Sequence, residues 1–146
     1  MESEEKYRRV IETANEAIFV VQEGMLQLVN DRLVGITGYS REELERMTVN
    51  DITYPEDMNI SPMFFKSAVS GKCENRVFEK RYLHKQGHVI LGRVSISLVR
   101  DSKSNPLHFV IQVEDITESK RAEMQLREDK RKLRSLALEL TAVDNI

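Results

Sequence analysis

The sequence contains no tryptophan, a single cysteine and only three prolines among its 146 residues. One cysteine, Cys73, cannot form a disulfide within the chain, which is typical of a protein from a reducing compartment. No apolar run approaches the roughly 20 residues that a membrane-spanning helix requires. The acidic, polar N-terminus does not resemble a secretory signal. We therefore expect a cytoplasmic chain that makes no direct membrane contact.

An excess of charge of either sign is also missing. With 22 basic and 24 acidic residues the formal net charge is −2, so no broad basic surface for nucleic acid is expected. The sequence has no phosphate-binding loop, no His-Glu-x-x-His motif and no recognisable Ser/His/Asp arrangement. Its three histidines, two of which flank one predicted turn, are too few for a metal site. We expect no nucleic-acid partner, no bound metal and no catalytic residues in this chain.

What the sequence does contain is two segments of different pattern. Residues 17–113 alternate strand-like runs with short helical stretches, whereas residues 118–143 are highly charged with leucines at helical spacing. Residues 3–14 form a further short amphipathic helix by the same criterion. We therefore predict an N-terminal helical cap (1–16), one compact domain (17–117) and a long C-terminal helix (118–146).

The compact segment is predicted to belong to the α+β class. A hairpin, several short helices and a three-stranded meander can form one antiparallel sheet with the helices packed on one face. Asn30 is a suitable N-cap, Gly38 a suitable helix end, and Ser40 with Glu43 forms a capping box. The predicted strands cover 17–21, 25–29, 74–84, 89–100 and 107–115, and the predicted helices cover 31–37, 42–47 and 55–70.

Six motifs together resemble the PAS sensor domain family over residues 5–121. The resemblance implies a five-stranded antiparallel sheet, helices on one face and a small cavity between the two layers. It also implies sensing of a ligand, redox state or light, or a role in dimerisation and signal relay. The motifs are Phe19-Val20-Val21, Val29-Asn30, Ile36-Thr37-Gly38-Tyr39-Ser40-Arg41-Glu42-Glu43-Leu44, Pro55-Glu56-Asp57, Lys85-Gln86-Gly87 and Asp115-Ile116-Thr117-Glu118-Ser119-Lys120.

The C-terminal helix resembles a second kind of segment. Residues 133–140 are similar to the linker that leads into the dimerisation helices of bacterial sensor histidine kinases. This resemblance implies a two-component system in which a kinase or another output domain follows. A stand-alone module remains open as an alternative.

A heptad pattern along this helix indicates how it would pair. Apolar residues alternate spacings of four and three, which is the a/d rhythm of a coiled coil. We predict a parallel homodimer, and the alternative is that the stripe packs against its own domain. The predicted seam consists of Ala122, Leu126, Asp129, Leu133, Leu136, Leu140 and Val143.

Strand alternation and helix periodicity also define candidate residues for the cavity. These side chains can line a ligand pocket, or they can fill the interior and leave no room for a ligand. The candidates are Phe19, Val21, Leu33, Ile36, Met47, Ile52, Met58, Met63, Phe64, Phe78, Lys80, Tyr82, Val94, Ile96, Ile111 and Val113.

Lys80 stands out among these candidates because it is charged. A buried ammonium needs a partner, so one hypothesis is a ligand that carries a carboxylate. The other is that the lysine stem runs along the core and its ammonium reaches the rim, and we favour this second interpretation.

The sequence argues against two cofactors known in the family, haem and a flavin that bonds to a cysteine. A haem-binding relative would carry an axial histidine on the helix after Pro55, and residues 57–70 contain none. A flavin-reactive cysteine would lie within a helix, whereas Cys73 follows Gly71. A small-molecule ligand stays open, and no cofactor is assigned.

The junction of Asp115, Ile116 and Thr117 is the predicted point of signal transfer, with Thr117 starting the helix. We expect the chain to be a non-enzymatic signal-input module that acts through a dimeric C-terminal helix. The alternative is a constitutive dimerisation or docking module without a ligand.

Overall fold

A computed structural model describes residues 8, 9, 11, 12, 16–71 and 75–144, with side chains through residue 142. The described residues near the N-terminus are helical, and Ile11 among them is buried. The remaining part of the helix predicted over residues 3–14 lies outside the described residues, and so does Cys73. The predicted division of the chain at residues 16 and 117 stays a prediction.

Five antiparallel strands form one sheet, which confirms the predicted fold class. The strands lie in the order β2-β1-β5-β4-β3, so the first and last strands are central neighbours. Ala17 pairs with Val113, and this pairing joins the N-terminal hairpin to the C-terminal meander. The strands are β1 (Ala17–Gln22), β2 (Met25–Val29), β3 (Asn75–Leu83), β4 (Val89–Arg100) and β5 (Pro106–Asp115).

The helical elements lie mostly between β2 and β3 in the sequence. The α-helices are α1 (Asp31–Thr37), α2 (Arg41–Leu44), α3 (Ile60–Val69) and α4 (Thr117–Asp144), and two 3-10 helices cover Val49–Ile52 and Pro55–Asp57. The capping box of Ser40 and Glu43 is confirmed at α2. Gly38 ends α1 with a φ of 78°, a backbone conformation that glycine adopts without strain.

Asn30 joins three parts of the chain as well as capping α1. Its Oδ1 accepts hydrogen bonds from the backbone N–H groups of Leu33 and Ile18. Its Nδ2 donates to the backbone carbonyls of Ile11 and Glu16. Because the residue is 1% exposed, these bonds satisfy a carboxamide that would otherwise be buried without partners.

The helix predicted over residues 55–70 is wrong in its extent. Residues Pro55–Asp57 form a 3-10 turn, and the α-helix begins only at Ile60. Pro62 supplies the reason, since it has no N–H to donate to the carbonyl of Met58 and its ring would collide with that carbonyl. A proline is tolerated in the first turn of a helix, which is where a start at Ile60 places it.

Side chains of the sheet point into two separate apolar clusters. The strand β1 contributes to both, because Phe19 and Val21 face the helical layer while Ile18 and Val20 pack with Ile11 on the other face. This arrangement confirms a first strand that is apolar on both faces. The larger cluster, between the sheet and the helices, is the core of the domain.

The outer edge of β3 is covered by residues 53–57. Tyr54 donates its N–H to the carbonyl of Arg81 (3.1 Å), and Arg81 donates its own N–H to Asp57 Oδ2 (2.7 Å). The Arg81 guanidinium also binds both Asp57 oxygens, at 3.0 and 2.7 Å. These bonds occupy backbone groups that an edge strand would otherwise leave open. They also fix which face of β3 each side chain occupies.

The chain divides into two compact units between Asp115 and Ile116. The second unit contains α4, a helix of 28 residues. Pairs such as Arg127 with Glu123 (3.0 Å) link neighbouring turns on its surface. Its leucines at 126, 133, 136, 138 and 140 are more than half exposed in the single chain.

Replacing Asp57 with alanine is expected to lower the free energy of unfolding by about 2–4 kcal/mol, because it removes three hydrogen bonds from Arg81 and leaves the guanidinium without its main partner. The hydrogen bonds from Arg81 hold the pKa of Asp57 below its ordinary value, so this stability is present at neutral pH and is lost as the pH falls through the acid range. Urea denaturation at pH 7 measures the loss.

Glu56→Ala is the matched control, because its carboxylate contacts the same guanidinium at 3.3 Å but is 70% exposed. It should change the free energy of unfolding by less than about 1 kcal/mol. Equal losses for the two variants would contradict a dominant role for Asp57.

Candidate functional site

Lys80 lies in the core of the domain, on the inner face of β3 between Phe78 and Tyr82. It is 1% exposed, so the favoured expectation that its ammonium reaches the rim is wrong. Its ammonium is instead held by Ser61 of α3, which is itself buried. Burial of an ammonium costs free energy unless nearby groups compensate its charge, so the partners of Lys80 decide that cost.

The Lys80 ammonium has few partners. Its Nζ donates to Ser61 Oγ on α3 at 2.6 Å and lies 4.9 Å from the centroid of the Tyr82 ring. Across the ladder from Lys80 stands Gly92, where a Cβ would come within 3.0 Å of that ring and 2.8 Å of Val113. Within the described residues the ammonium makes one hydrogen bond, although it has three N–H donors.

The charges near Lys80 do not cancel within the core. Asp57 is the carboxylate that attracts the ammonium, but both its oxygens are bound by Arg81. These three groups therefore sum to one positive charge. Glu56 would balance it, yet that carboxylate is largely exposed to solvent, where an ion pair is weak.

Burial shifts the pKa values of two core residues of β3, Lys80 and Tyr82. It lowers the pKa of Lys80 to about 8, although attraction to Asp57 opposes the shift. It raises the pKa of the Tyr82 hydroxyl well above its ordinary range. At neutral pH Lys80 is therefore a cation and Tyr82 is neutral.

A cavity of about 270 Å³ lies beside the N-terminal end of α3. Its walls are the turn between β1 and β2, the first 3-10 helix and the first turns of α3, and one side is open to solvent. Ser61, the partner of Lys80, is part of its wall. The lining residues are Gly24, Thr48, Val49, Asn50, Ser61, Pro62 and Phe65.

A second polar group on this wall is incompletely bonded. The side-chain oxygen of Asn50 is buried and has no hydrogen-bond partner within the part of the chain that the structure describes. Buried polar atoms are almost always bonded to protein or to ordered water. Because this oxygen is closed to solvent, it lies beneath the cavity wall as an unsatisfied acceptor.

The family pattern of the PAS fold matches residues 5–116. The chain belongs to the PAS family. Among curated proteins, this PAS chain is 37% identical over 84% of its length to the probable diguanylate cyclase DgcE of Escherichia coli K12. It is 28% identical over 86% of its length to the sensor histidine kinase TmoS of Ectopseudomonas mendocina. It spans only 11% and 13% of these two proteins.

A solved structure agrees with the fold. The PAS domain of a protein from Colwellia psychrerythraea superposes with a TM-score of 0.70 at 22% identity, covering 80% of this chain and 98% of that one. At this identity the likeness concerns the fold alone.

Most of the predicted cavity residues lie together in the core of the PAS domain. Ile36, Met47 and Phe78 are partly buried at its margin, and Met58 is half-buried. None of them lines the 270 Å³ cavity, and whether any contacts a ligand stays a prediction. The fully buried members are Phe19, Val21, Leu33, Ile52, Phe64, Lys80, Tyr82, Val94, Ile96, Ile111 and Val113.

Met63 is the candidate that the structure contradicts. It is 69% exposed, whereas its neighbour Phe64 is 2% exposed. The helix that begins at Ile60 turns Ser61, Phe64 and Ala68 towards the sheet, at spacings of three and four. Met63 therefore points away from the core.

Ser61, Asn50 and the pairing of Asp57 with Arg81 were not predicted from the sequence. One signal could have indicated them. Asp57 and Ser61 are four residues apart and precede Phe64 and Ala68 at helical spacing, so two polar residues extend an apolar face. A buried lysine on the facing strand requires such partners.

The junction residues occupy the ends of two elements in the PAS chain. Asp115 is the last residue of β5, Ile116 follows, and Thr117 begins α4, as predicted. The described seam residues, Ala122, Leu126, Asp129, Leu133, Leu136 and Leu140, are all exposed in the single chain. The side chain of Val143 lies outside the described residues.

The histidines occupy structural positions. The rings of His84 and His88 stack with centroids 4.2 Å apart, and His84 Nδ1 accepts a hydrogen bond from the N–H of Gln86. The described residues contain no cluster of three or more His, Cys, Asp or Glu that could hold a metal ion. Among them there is also no helix long and apolar enough to cross a membrane.

Replacing Lys80 with methionine is expected to raise the free energy of unfolding at pH 7 by about 1–3 kcal/mol, because an apolar chain of similar length replaces a buried charge. The gain should shrink as the pH rises. Between pH 8 and about 10.5 the unfolded chain binds more protons at Lys80 than the folded chain does, so the wild type gains stability in that range.

Urea denaturation of both proteins at pH 7 and pH 10 measures this difference. A stability difference that stays constant between the two pH values would show that Lys80 is not buried as a cation.

Proposed function

We propose that this PAS domain is the signal-input module of a larger protein and acts on an output domain through α4. The relatives that it matches are several times longer than this chain, which supports a modular role. An input would favour one of two arrangements of α4 by binding one state of the domain more tightly than the other.

The observation that carries this proposal is the continuity of β5 with α4. Ile111 and Val113 of β5 are core residues facing the helical layer, and α4 starts two residues after the strand ends. A change in the packing of the core would therefore act on the backbone that leads directly into the helix.

Pairing of α4 with a second copy of the chain would complete the output element. A charged helix is marginal in water without a partner, and ion pairs between its turns add only a few tenths of a kcal/mol each. Burial of the leucine stripe against an identical stripe would supply the missing stabilisation.

The output domain would be a diguanylate cyclase or a histidine kinase, since the two curated relatives carry those names. The histidine kinase is the output expected from the sequence of α4. In either case we propose that catalysis resides in the output domain and that the present chain regulates it.

A second candidate function is a constitutive dimerisation module that binds no ligand. The dense aromatic packing of the core favours it, since the rings of Phe65 and Phe109 lie 4.4 Å apart between centroids and both contact Phe64. Ligand binding by the purified chain separates the two candidates.

The double substitution Leu133→Ala, Leu136→Ala is expected to weaken dimerisation by at least about 100-fold, because each protomer loses two seam side chains. Sedimentation velocity across micromolar concentrations measures the dissociation constant.

Leu138→Ala is the matched control for this experiment. Leu138 is 66% exposed on the same helix but lies outside the seam, so its truncation should leave the dissociation constant unchanged. A wild-type chain that is monomeric at these concentrations, or equal effects of the two variants, would rule out the proposed seam.

A further inference from the structure

We propose that the cavity beside α3 binds a small organic carboxylate, which Ser61 contacts directly and the buried Lys80 attracts from behind. The proposal deepens the signal-input function proposed above, because it names the chemical class of the input. It is carried by three features of the site.

The first feature is the uncompensated charge of Lys80. Its only hydrogen bond within the described residues is to a neutral hydroxyl. Asp57, the carboxylate that attracts it, is engaged by Arg81. A buried cation of this kind costs stability. A bound anion would supply the missing opposite charge in a medium where electrostatic attraction is strong.

The second feature is the orientation that Lys80 imposes on Ser61. An ammonium can only donate, so Ser61 Oγ accepts at 2.6 Å. The Ser61 hydroxyl keeps one proton, and no acceptor for it is found within the described residues. Because Ser61 lines the cavity, an acceptor placed there can take this proton in a hydrogen bond strengthened by the charge behind it.

The third feature is the shape and polarity of the wall. Val49, Pro62 and Phe65 give the cavity an apolar surface, and Ser61 and Asn50 place two polar groups on it. Such a wall suits a molecule with an apolar body and one polar end. The volume of about 270 Å³ can hold the body of a small acid.

Benzoate, phenylacetate and hexanoate are suitable probes, and benzamide is the neutral counterpart of benzoate. Isothermal titration of the purified chain at pH 7 is expected to show saturable binding of at least one acid with one site per chain. Benzamide should bind at least tenfold more weakly than benzoate, since it lacks the charge that Lys80 attracts.

Two substitutions test the residues. Lys80→Met, which is expected to stabilise the fold, should weaken binding of the acid at least tenfold, and Ser61→Ala should weaken it by a similar factor. Lys66→Met and Ser67→Ala are matched controls on the same helix α3. Neither residue lines the cavity, so both variants should bind as the wild type does.

The outcomes separate this proposal from the proposed function. If none of the three acids binds at millimolar concentration, or if benzamide binds as tightly as benzoate, the carboxylate site is overturned while dimerisation through α4 is unaffected. Binding that survives Lys80→Met and Ser61→Ala also overturns the site. If a carboxylate binds as expected but the wild-type chain is monomeric with and without it, the site stands and signalling through a dimeric α4 fails.

Discussion

Asp57 accepts three hydrogen bonds from Arg81, one from the backbone and two from the guanidinium, and the geometry of the candidate site depends on this pairing. It holds the second 3-10 helix along the open edge of β3. Side chains of a strand alternate between its faces, so fixing Arg81 at the edge directs Lys80 into the core. The start of α3 follows three residues later and brings Ser61 to the ammonium. One ion pair thus places the cation, its partner and the wall of the cavity.

A cation in the core of a PAS domain lowers the free energy of unfolding, and the fold itself does not require one. An apolar residue at position 80 would pack between Phe78 and Tyr82 without desolvating a charge. The lysine is instead held under Ser61, which also lines the cavity. Charge, hydroxyl and cavity therefore belong to one arrangement, and recognition of an anion accounts for all three. The fold is shared across the PAS family, whereas this arrangement arises from residues of this chain.

Local signals predicted the elements well where the deciding interactions are themselves local. The second strand and the helix Asp31–Thr37 have the predicted bounds, because a capping asparagine and a glycine with positive φ act within a few residues. The helix predicted from Pro55 is wrong because Pro62 cannot lie in its interior, and a proline is a strong local signal. Met63 is a separate error, because adjacent residues of a helix point in different directions and Phe64 already faces the sheet. The periodicity alone could not reveal Ser61, because its role depends on a lysine nineteen residues away.

By itself the sequence determined the order of strands and helices, the α+β class and the resemblance to PAS domains. It could do so because strand alternation, helix capping and turns depend on residues close together in the sequence. It also placed Lys80 on the same strand face as Phe78 and Tyr82. Only the tertiary structure decided that the ammonium stays buried, because α3 brings the buried Ser61 against it. The cavity lies beside the start of the same helix. These are contacts between segments far apart in the chain, and their geometry follows from packing that no single segment specifies.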